Sequence, residues 1–74
     1  VPGIQIAHAG RKASTAEPWN GGLKVNEHAG GWQTLAPSAI AFAENYPTPR
    51  EMTVEDIKKA TQDFVAAAKR SVEA

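Results

Sequence analysis

The feature that most constrains the fold is a long irregular stretch, residues 11–52, which separates a strand-like segment from a helix-like one. It holds four of the six glycines and four of the five prolines: Gly21, Gly22, Gly30, Gly31, Pro18, Pro37, Pro47 and Pro49. Glycine and proline interrupt regular elements and favour turns. A connection this long usually carries function. We therefore predict an elaborated loop with one hairpin, a strand fragment at "LKV" and an apolar packing segment at "WQTLAPSAIAF".

Residues 1–10 have the pattern of a short buried strand. Ile4 and Ile6 are β-branched, and Gly3 and Gly10 bracket the run. Pro2 suits the entry of a strand, where a missing N–H does least harm. The pattern predicts a strand here.

Residues 53–74 have the pattern of an amphipathic helix. Thr53 is a favourable N-cap, and Asp56 can complete a capping box with it. Apolar side chains recur at helical spacing at Ile57, Phe64 and Val72. A strand, a long loop and a helix form one βα unit of the α/β class, which cannot make a sheet alone.

Composition excludes several classes of function. Eight basic and eight acidic residues give zero net charge, so the chain has no basic face for nucleic acid. It has no cysteine, which excludes disulfides and thiolate metal sites. No apolar run reaches the roughly 20 residues of a membrane span, and no signal-peptide pattern is present. We expect a cytoplasmic segment without metal. The first residue is not Met and no C-cap follows Val72, which predicts a piece of a longer protein.

Polar side chains near the end of the predicted strand are the candidate site residues. Gln5 faces away from Ile4 and Ile6, and its amide either bonds to neighbouring backbone or binds a planar heterocycle. His8, Arg11 and Lys12 follow, where a cation is either solvated or paired with a nearby acid, or stabilises an anionic cofactor or developing negative charge.

The remaining candidates have less specific patterns. His28 lies in a glycine-rich turn and is expected at the surface. Trp19 and Trp32 are each flanked by turn residues. We expect their rings to pin the loop onto the body of the protein, with ligand stacking as the alternative.

Several quoted motifs together resemble one family. "GIQIAHAGRKAS", followed by "PW", "GGW", "APSAIAF", "PREMT" and "AAAKRSVEA", resembles the Old Yellow Enzyme family, in its bacterial xenobiotic-reductase-like branch. The resemblance implies an internal fragment of an FMN-dependent (β/α)8 TIM barrel, a fold of about 250 residues. It also implies hydride transfer from NADPH or NADH through the flavin to an activated alkene, an enone or enal, in a homo-oligomeric enzyme.

The resemblance assigns roles to two residues. Gln5 matches the family's flavin-contacting glutamine, and Lys12 matches a lysine at the active-site mouth with an electrostatic role. His8 and Arg11 match recurrent family positions and are interpreted as structural. The family's substrate-binding histidine pair, proton-donating tyrosine and phosphate-binding loops belong to other parts of the barrel. The isolated segment is therefore expected to be inactive. The alternative is a small standalone module that binds or oligomerises through its amphipathic helix.

Overall fold

The computed structural model describes all residues of the chain, Val1–Ala74. They form two compact units: Val1–His8 with Thr53–Ala74, here called the helical unit, and Ala9–Met52, here called the loop unit.

The helical unit contains α1, Val54–Glu73. Thr53 is its N-cap and forms the predicted capping box: the Asp56 N–H donates to Thr53 Oγ1 at 3.1 Å, and the Thr53 N–H donates to Asp56 Oδ2 at 2.8 Å. These two bonds satisfy N–H groups that have no partner within the helix. The predicted helix and its N-terminus are confirmed.

The capping box allows a direct test on a peptide containing residues 52–74. We expect Thr53→Ala to destabilise the helix by about 1 kcal/mol, because the Asp56 N–H loses its acceptor. The matched control is Thr61→Ala, since the Thr61 hydroxyl only donates to the Ile57 carbonyl within the helix, at 3.0 Å. Alanine favours helix at that position, so the control peptide keeps its helicity. Circular dichroism measures both, and equal helicity of the two variants would contradict the cap.

The predicted strand at residues 1–10 is not present in this chain. Residues 1–9 have no regular secondary structure, and Gly10–Lys12 is a 3₁₀ turn. A strand is stabilised by hydrogen bonds to a neighbouring strand, and no segment of this chain pairs with residues 1–8. Ile4 is 72% exposed. The alternation of apolar and polar residues favours an extended strand. A strand also needs a neighbouring strand, and this chain does not contain one.

The loop unit contains a two-stranded parallel sheet, β1 (Leu35–Ala36) and β2 (Arg50–Glu51). Leu35 is opposite Arg50, and Ala36 is opposite Glu51. The Arg50 N–H donates to the Thr34 carbonyl at 2.8 Å, and the Met52 N–H to the Ala36 carbonyl at 2.9 Å. The pairing of the two strands brings together the two ends of the second half of the loop. It could not be predicted from the sequence, because each strand has only two residues.

The first half of the loop unit contains the predicted hairpin in shortened form, as a single bridge instead of two strands. A single antiparallel bridge joins Thr15 to Lys24. The Ala16 N–H donates to the Leu23 carbonyl and the Val25 N–H to the Ser14 carbonyl, both at 2.9 Å. The 3₁₀ turn Pro18–Asn20 lies between these residues, and Gly21 follows it at φ 100°. "LKV" is therefore a bridge residue with its neighbours rather than a strand.

The buried core of this chain is very small. Ala36 is 1% exposed, and the buried polar residues are Ser14 and Thr34. Pro47 and Pro49 are also buried. Many large apolar side chains are exposed, including Ile57 and Val72 of the predicted helix face. The loop unit therefore depends on hydrogen bonds and turn geometry more than on apolar burial. α1 is too polar for a membrane-spanning helix.

Candidate functional site

Lys12 lies at the end of the first 3₁₀ turn of the loop unit. Gly10 has a φ of 62°, a value that glycine adopts at little cost. The Lys12 N–H donates to the Ala9 carbonyl at 3.3 Å, and the Thr15 hydroxyl donates to the Lys12 carbonyl at 3.2 Å. The Lys12 backbone is thus held on both sides, while its side chain is exposed.

The Lys12 ammonium lies over an aromatic ring from the far part of the loop. Its Nζ is 4.2 Å from the centroid of the Phe42 ring, within the range of a cation–π interaction. The Phe42 ring in turn meets the Tyr46 ring edge to face, with centroids 4.9 Å apart and planes at 67°. We call Lys12, Phe42 and Tyr46 the cation–aromatic cluster. The sequence of "APSAIAF" predicts only an apolar segment, and nothing in it identifies this contact.

Arg11 forms hydrogen bonds between the two chain segments that carry the cluster. Its Nη1 donates to the Ile40 carbonyl at 2.6 Å, and its Nη2 donates to Ser38 Oγ at 3.2 Å. A planar guanidinium with several donors suits such a two-point contact. The interpretation of Arg11 as structural agrees with these bonds, which connect the turn that carries Lys12 to the segment that carries Phe42.

A shallow depression opens beside the cluster. Its volume is about 500 Å³, and its lining includes Lys12, Thr15, Leu23 and Tyr46. Its lining thus includes an ammonium group, two hydroxyl groups and an apolar side chain. Such a surface favours a ligand that combines a negatively polarised group with an apolar body.

Ser14 and Gly31 lie where three segments of the loop unit meet, a region here called the base of the loop unit. Ser14 is buried and has a φ of 57°, unusual for a residue other than glycine. Its Oγ accepts from the Trp32 N–H at 3.0 Å and donates to the Val25 carbonyl at 3.3 Å. The Gly31 N–H donates to the Asn26 carbonyl at 2.9 Å. These bonds bring three separate loop segments together.

Gln5, the predicted flavin-contacting residue, lies in the helical unit and Lys12 in the loop unit. The Gln5 side chain is exposed and makes no hydrogen bond within the chain. The alternative of an amide bonded to neighbouring backbone therefore does not apply within this chain. His8 is exposed as well, as is His28 in the turn Glu27–Ala29.

Both tryptophan rings are exposed. Trp19 is 81% exposed and Trp32 is 58% exposed. Neither ring is packed against a protein body within this chain, so the expectation that they pin the loop is not met here. Only the Trp32 backbone takes part in the hydrogen bonds at the base of the loop.

One carboxyl group in the loop has a perturbed pKa. Asn20 Nδ2 donates to Glu17 Oε2 at 3.0 Å, across the turn Pro18–Asn20. This hydrogen bond favours the ionised form and lowers the pKa of Glu17 below its ordinary value. The hydrogen bond stabilises the turn Pro18–Asn20.

The sequence pattern of the NADH:flavin oxidoreductase / NADH oxidase family matches residues 2–74. The chain belongs to this family of flavin oxidoreductases, and the predicted resemblance is confirmed. An NADH:flavin oxidoreductase of Gibberella zeae is 47% identical over 79 aligned positions. An NADPH dehydrogenase of Bacillus subtilis is 44% identical and one of Geobacillus thermodenitrificans 42% identical, each over 72 residues.

These relatives are much longer than the chain. Each alignment covers 97% of this chain, but only 18% of the Gibberella protein and 17% of each bacterial one. The chain therefore spans a small part of the relatives it matches. Its similarity concerns one segment of a flavoprotein.

Proposed function

We propose that this chain is a segment of an FMN-dependent oxidoreductase that transfers hydride from NADPH or NADH to activated alkenes such as enones and enals. The observation that carries the proposal is the family match over residues 2–74. The relatives named NADPH dehydrogenase support a nicotinamide nucleotide as the reductant. The partners of the segment are the remainder of the barrel, the alkene substrate and further copies of the protein.

The fold we propose for the complete protein is a (β/α)8 barrel, in which this segment supplies one strand, the loop and one helix. Residues 1–8 have a strand-like sequence but no strand partner in this chain. On α1, Ile57 is 53% and Val72 is 87% exposed. A barrel gives every strand two neighbours and covers one face of every helix, so it accounts for both observations.

The residues present fit a flavin. The Gln5 amide has no hydrogen-bond partner within the chain and offers both a donor and an acceptor, as the polar edge of a flavin ring requires. In this family, bound FMN supplies the two-electron chemistry by accepting and delivering hydride. The role of Gln5 is to hold and orient the ring.

Lys12 is the cationic residue of the proposed active-site mouth. No carboxylate pairs with it, so its positive charge is not neutralised. A fixed positive charge stabilises negative charge that develops during the reaction. The role proposed for Lys12 is therefore electrostatic.

The proposal is tested by comparing the complete polypeptide with the isolated 74-residue chain. We expect the purified complete protein to be yellow, to release FMN on denaturation and to oxidise NADPH only slowly until cyclohexenone is added. We expect the isolated chain to show no enone-dependent oxidation with added FMN, since the residues that bind phosphate and protonate the product lie elsewhere. NADPH absorbance measures both. A colourless, inactive complete protein would refute the proposed function, and an active isolated chain would refute its incompleteness.

A second candidate is a small binding module that associates through α1. The exposed apolar residues Val54, Ile57, Val65 and Val72 favour it. The same residues would be covered by barrel neighbours, and the family match supports the enzyme segment. A colourless oligomer of the short chain, measured by light scattering, would favour the module.

A further inference from the structure

Lys12 is held by an aromatic ring rather than by an acid. Its Nζ is 4.2 Å from the Phe42 ring centroid, and it forms no salt bridge. A lysine side chain has four rotatable bonds and loses considerable entropy when it is confined. A carboxylate would confine it and cancel its field, whereas the face of a ring confines it and leaves the net positive charge intact.

The Phe42 ring is itself held in place. Tyr46 contacts it edge to face, with centroids 4.9 Å apart. A turn returns the chain from Phe42 to Tyr46: the Tyr46 N–H donates to the Ala43 carbonyl at 3.2 Å, and Asn45 has a φ of 67°. Positive φ at this position is typical of a type II turn. The Lys24 N–H then donates to the Asn45 carbonyl at 3.1 Å and connects the turn to the rest of the loop unit.

Arg11 connects the segment that carries Lys12 to the segment that carries Phe42. It is adjacent to Lys12 in sequence, and its guanidinium binds the Ile40 carbonyl and Ser38 Oγ, a few residues before Phe42. The ammonium and the ring therefore belong to two segments that are tied to each other independently of the cation–π contact. That contact is thus made between two positioned groups.

We propose that Phe42 is a positioning residue for the reaction: its ring fixes the Lys12 ammonium at the active-site mouth, and Tyr46 supports the ring. The inference rests on the proposed function, because it assigns a task to the residue that holds Lys12. It explains why an aromatic side chain that is 50% exposed lies in a loop with so small a core. Its consequence is that the electrostatic effect of Lys12 depends on Phe42.

The test uses the complete holoprotein with four variants: Phe42→Leu, Phe42→Tyr, Lys12→Met and the double variant Lys12→Met/Phe42→Leu. Leucine keeps an apolar side chain of similar reach and removes the aromatic face. We expect Phe42→Leu to lower kcat for NADPH-dependent enone reduction by about 2- to 30-fold, the range that corresponds to a cation–π contact. Phe42→Tyr keeps the ring face, and we expect it to retain most of the kcat of the unsubstituted protein.

The double variant distinguishes positioning from a merely structural role. If Phe42 acts through Lys12, Phe42→Leu has no further effect once Lys12 is methionine, whereas a structural effect persists in both backgrounds. Phe64→Leu, which removes the chain's other phenylalanine from α1, is the matched control and leaves kcat unchanged. Flavin content and the flavin absorption spectrum are recorded for every variant, so that loss of cofactor is not counted as loss of rate.

The outcomes separate the two proposals. Non-additivity of Lys12→Met and Phe42→Leu, with rescue by tyrosine, supports the inference. An impaired Lys12→Met variant combined with a fully active Phe42→Leu variant, or with additive effects, overturns the inference and leaves the proposed function intact. A fully active Lys12→Met variant also overturns it, because no charge then needs positioning. A complete protein without flavin or NADPH oxidation overturns the proposed function itself.

Discussion

Replacing Gly31 by alanine is expected to destabilise the complete flavoprotein by about 3 kcal/mol, the upper end of the usual cost of overpacking. A Cβ at this position would overlap the Val25 carbonyl oxygen, and it would lie 2.7 Å from the carbonyl carbon and 2.8 Å from Ser14 Oγ. A shift of either neighbour disturbs hydrogen bonds, because Ser14 Oγ donates to the Val25 carbonyl and accepts from the Trp32 N–H. The added methyl group therefore separates the segments that meet at the base of the loop unit.

Gly30→Ala is the matched control for this prediction. Gly30 has a φ of 98°, but a Cβ there would have no atom within 4 Å. The control therefore measures backbone strain without a clash, at a cost of about 1–2 kcal/mol. Thermal unfolding of both holoproteins, with limited proteolysis in residues 9–52, gives the comparison. A Gly31→Ala protein as stable as the Gly30→Ala protein would show that Val25 and Gly31 are not in close contact.

Replacing Gln5 by leucine in the complete flavoprotein is expected to raise the dissociation constant for FMN by about 10- to 100-fold. Leucine has similar size and no hydrogen-bonding groups, so in the role proposed for Gln5 the polar atoms of the flavin lose a hydrogen-bond partner. Such a loss costs about 1–3 kcal/mol, and each 1.4 kcal/mol is a tenfold change in affinity.

Titration of the apoprotein with FMN, followed by flavin fluorescence, measures this affinity. Gln62→Leu is the control, because Gln62 is an exposed glutamine on α1 and has no partner within the chain. Its FMN affinity should equal that of the unsubstituted protein. An unchanged affinity in Gln5→Leu would contradict the role proposed for Gln5 and leave the family assignment unaffected.

The two predictions rest on different observations. The effect of Gly31→Ala follows from contacts within the loop unit and does not depend on the reaction. The effect of Gln5→Leu follows from the resemblance of "GIQIAHAGRKAS" to the family, combined with an amide that has no partner in this chain. Together they test the loop and the cofactor site separately.

The sequence by itself determined the features that depend on neighbours along the chain. The capping box of α1 joins Thr53 to Asp56, three residues apart, and both residue types are visible in the sequence. The turns at "PWNGG" and "HAGG" likewise follow from glycines that adopt positive φ, as Gly21 and Gly30 do. Family membership also came from the sequence, because the motifs occur in a specific order over nearly the whole chain.

Only the tertiary structure decided which distant residues meet. The pairing of β1 with β2 and the contact of Lys12 with Phe42 join segments whose sequences do not identify their partners. Gly30 and Gly31 are adjacent and look alike in sequence, yet one has a positive φ and the other leaves room for a carbonyl group. The residues predicted as a strand show the same limit, because a strand needs a partner as well as a pattern. Local hydrogen bonds are encoded by adjacent residues, whereas packing depends on surfaces that only the folded chain brings together.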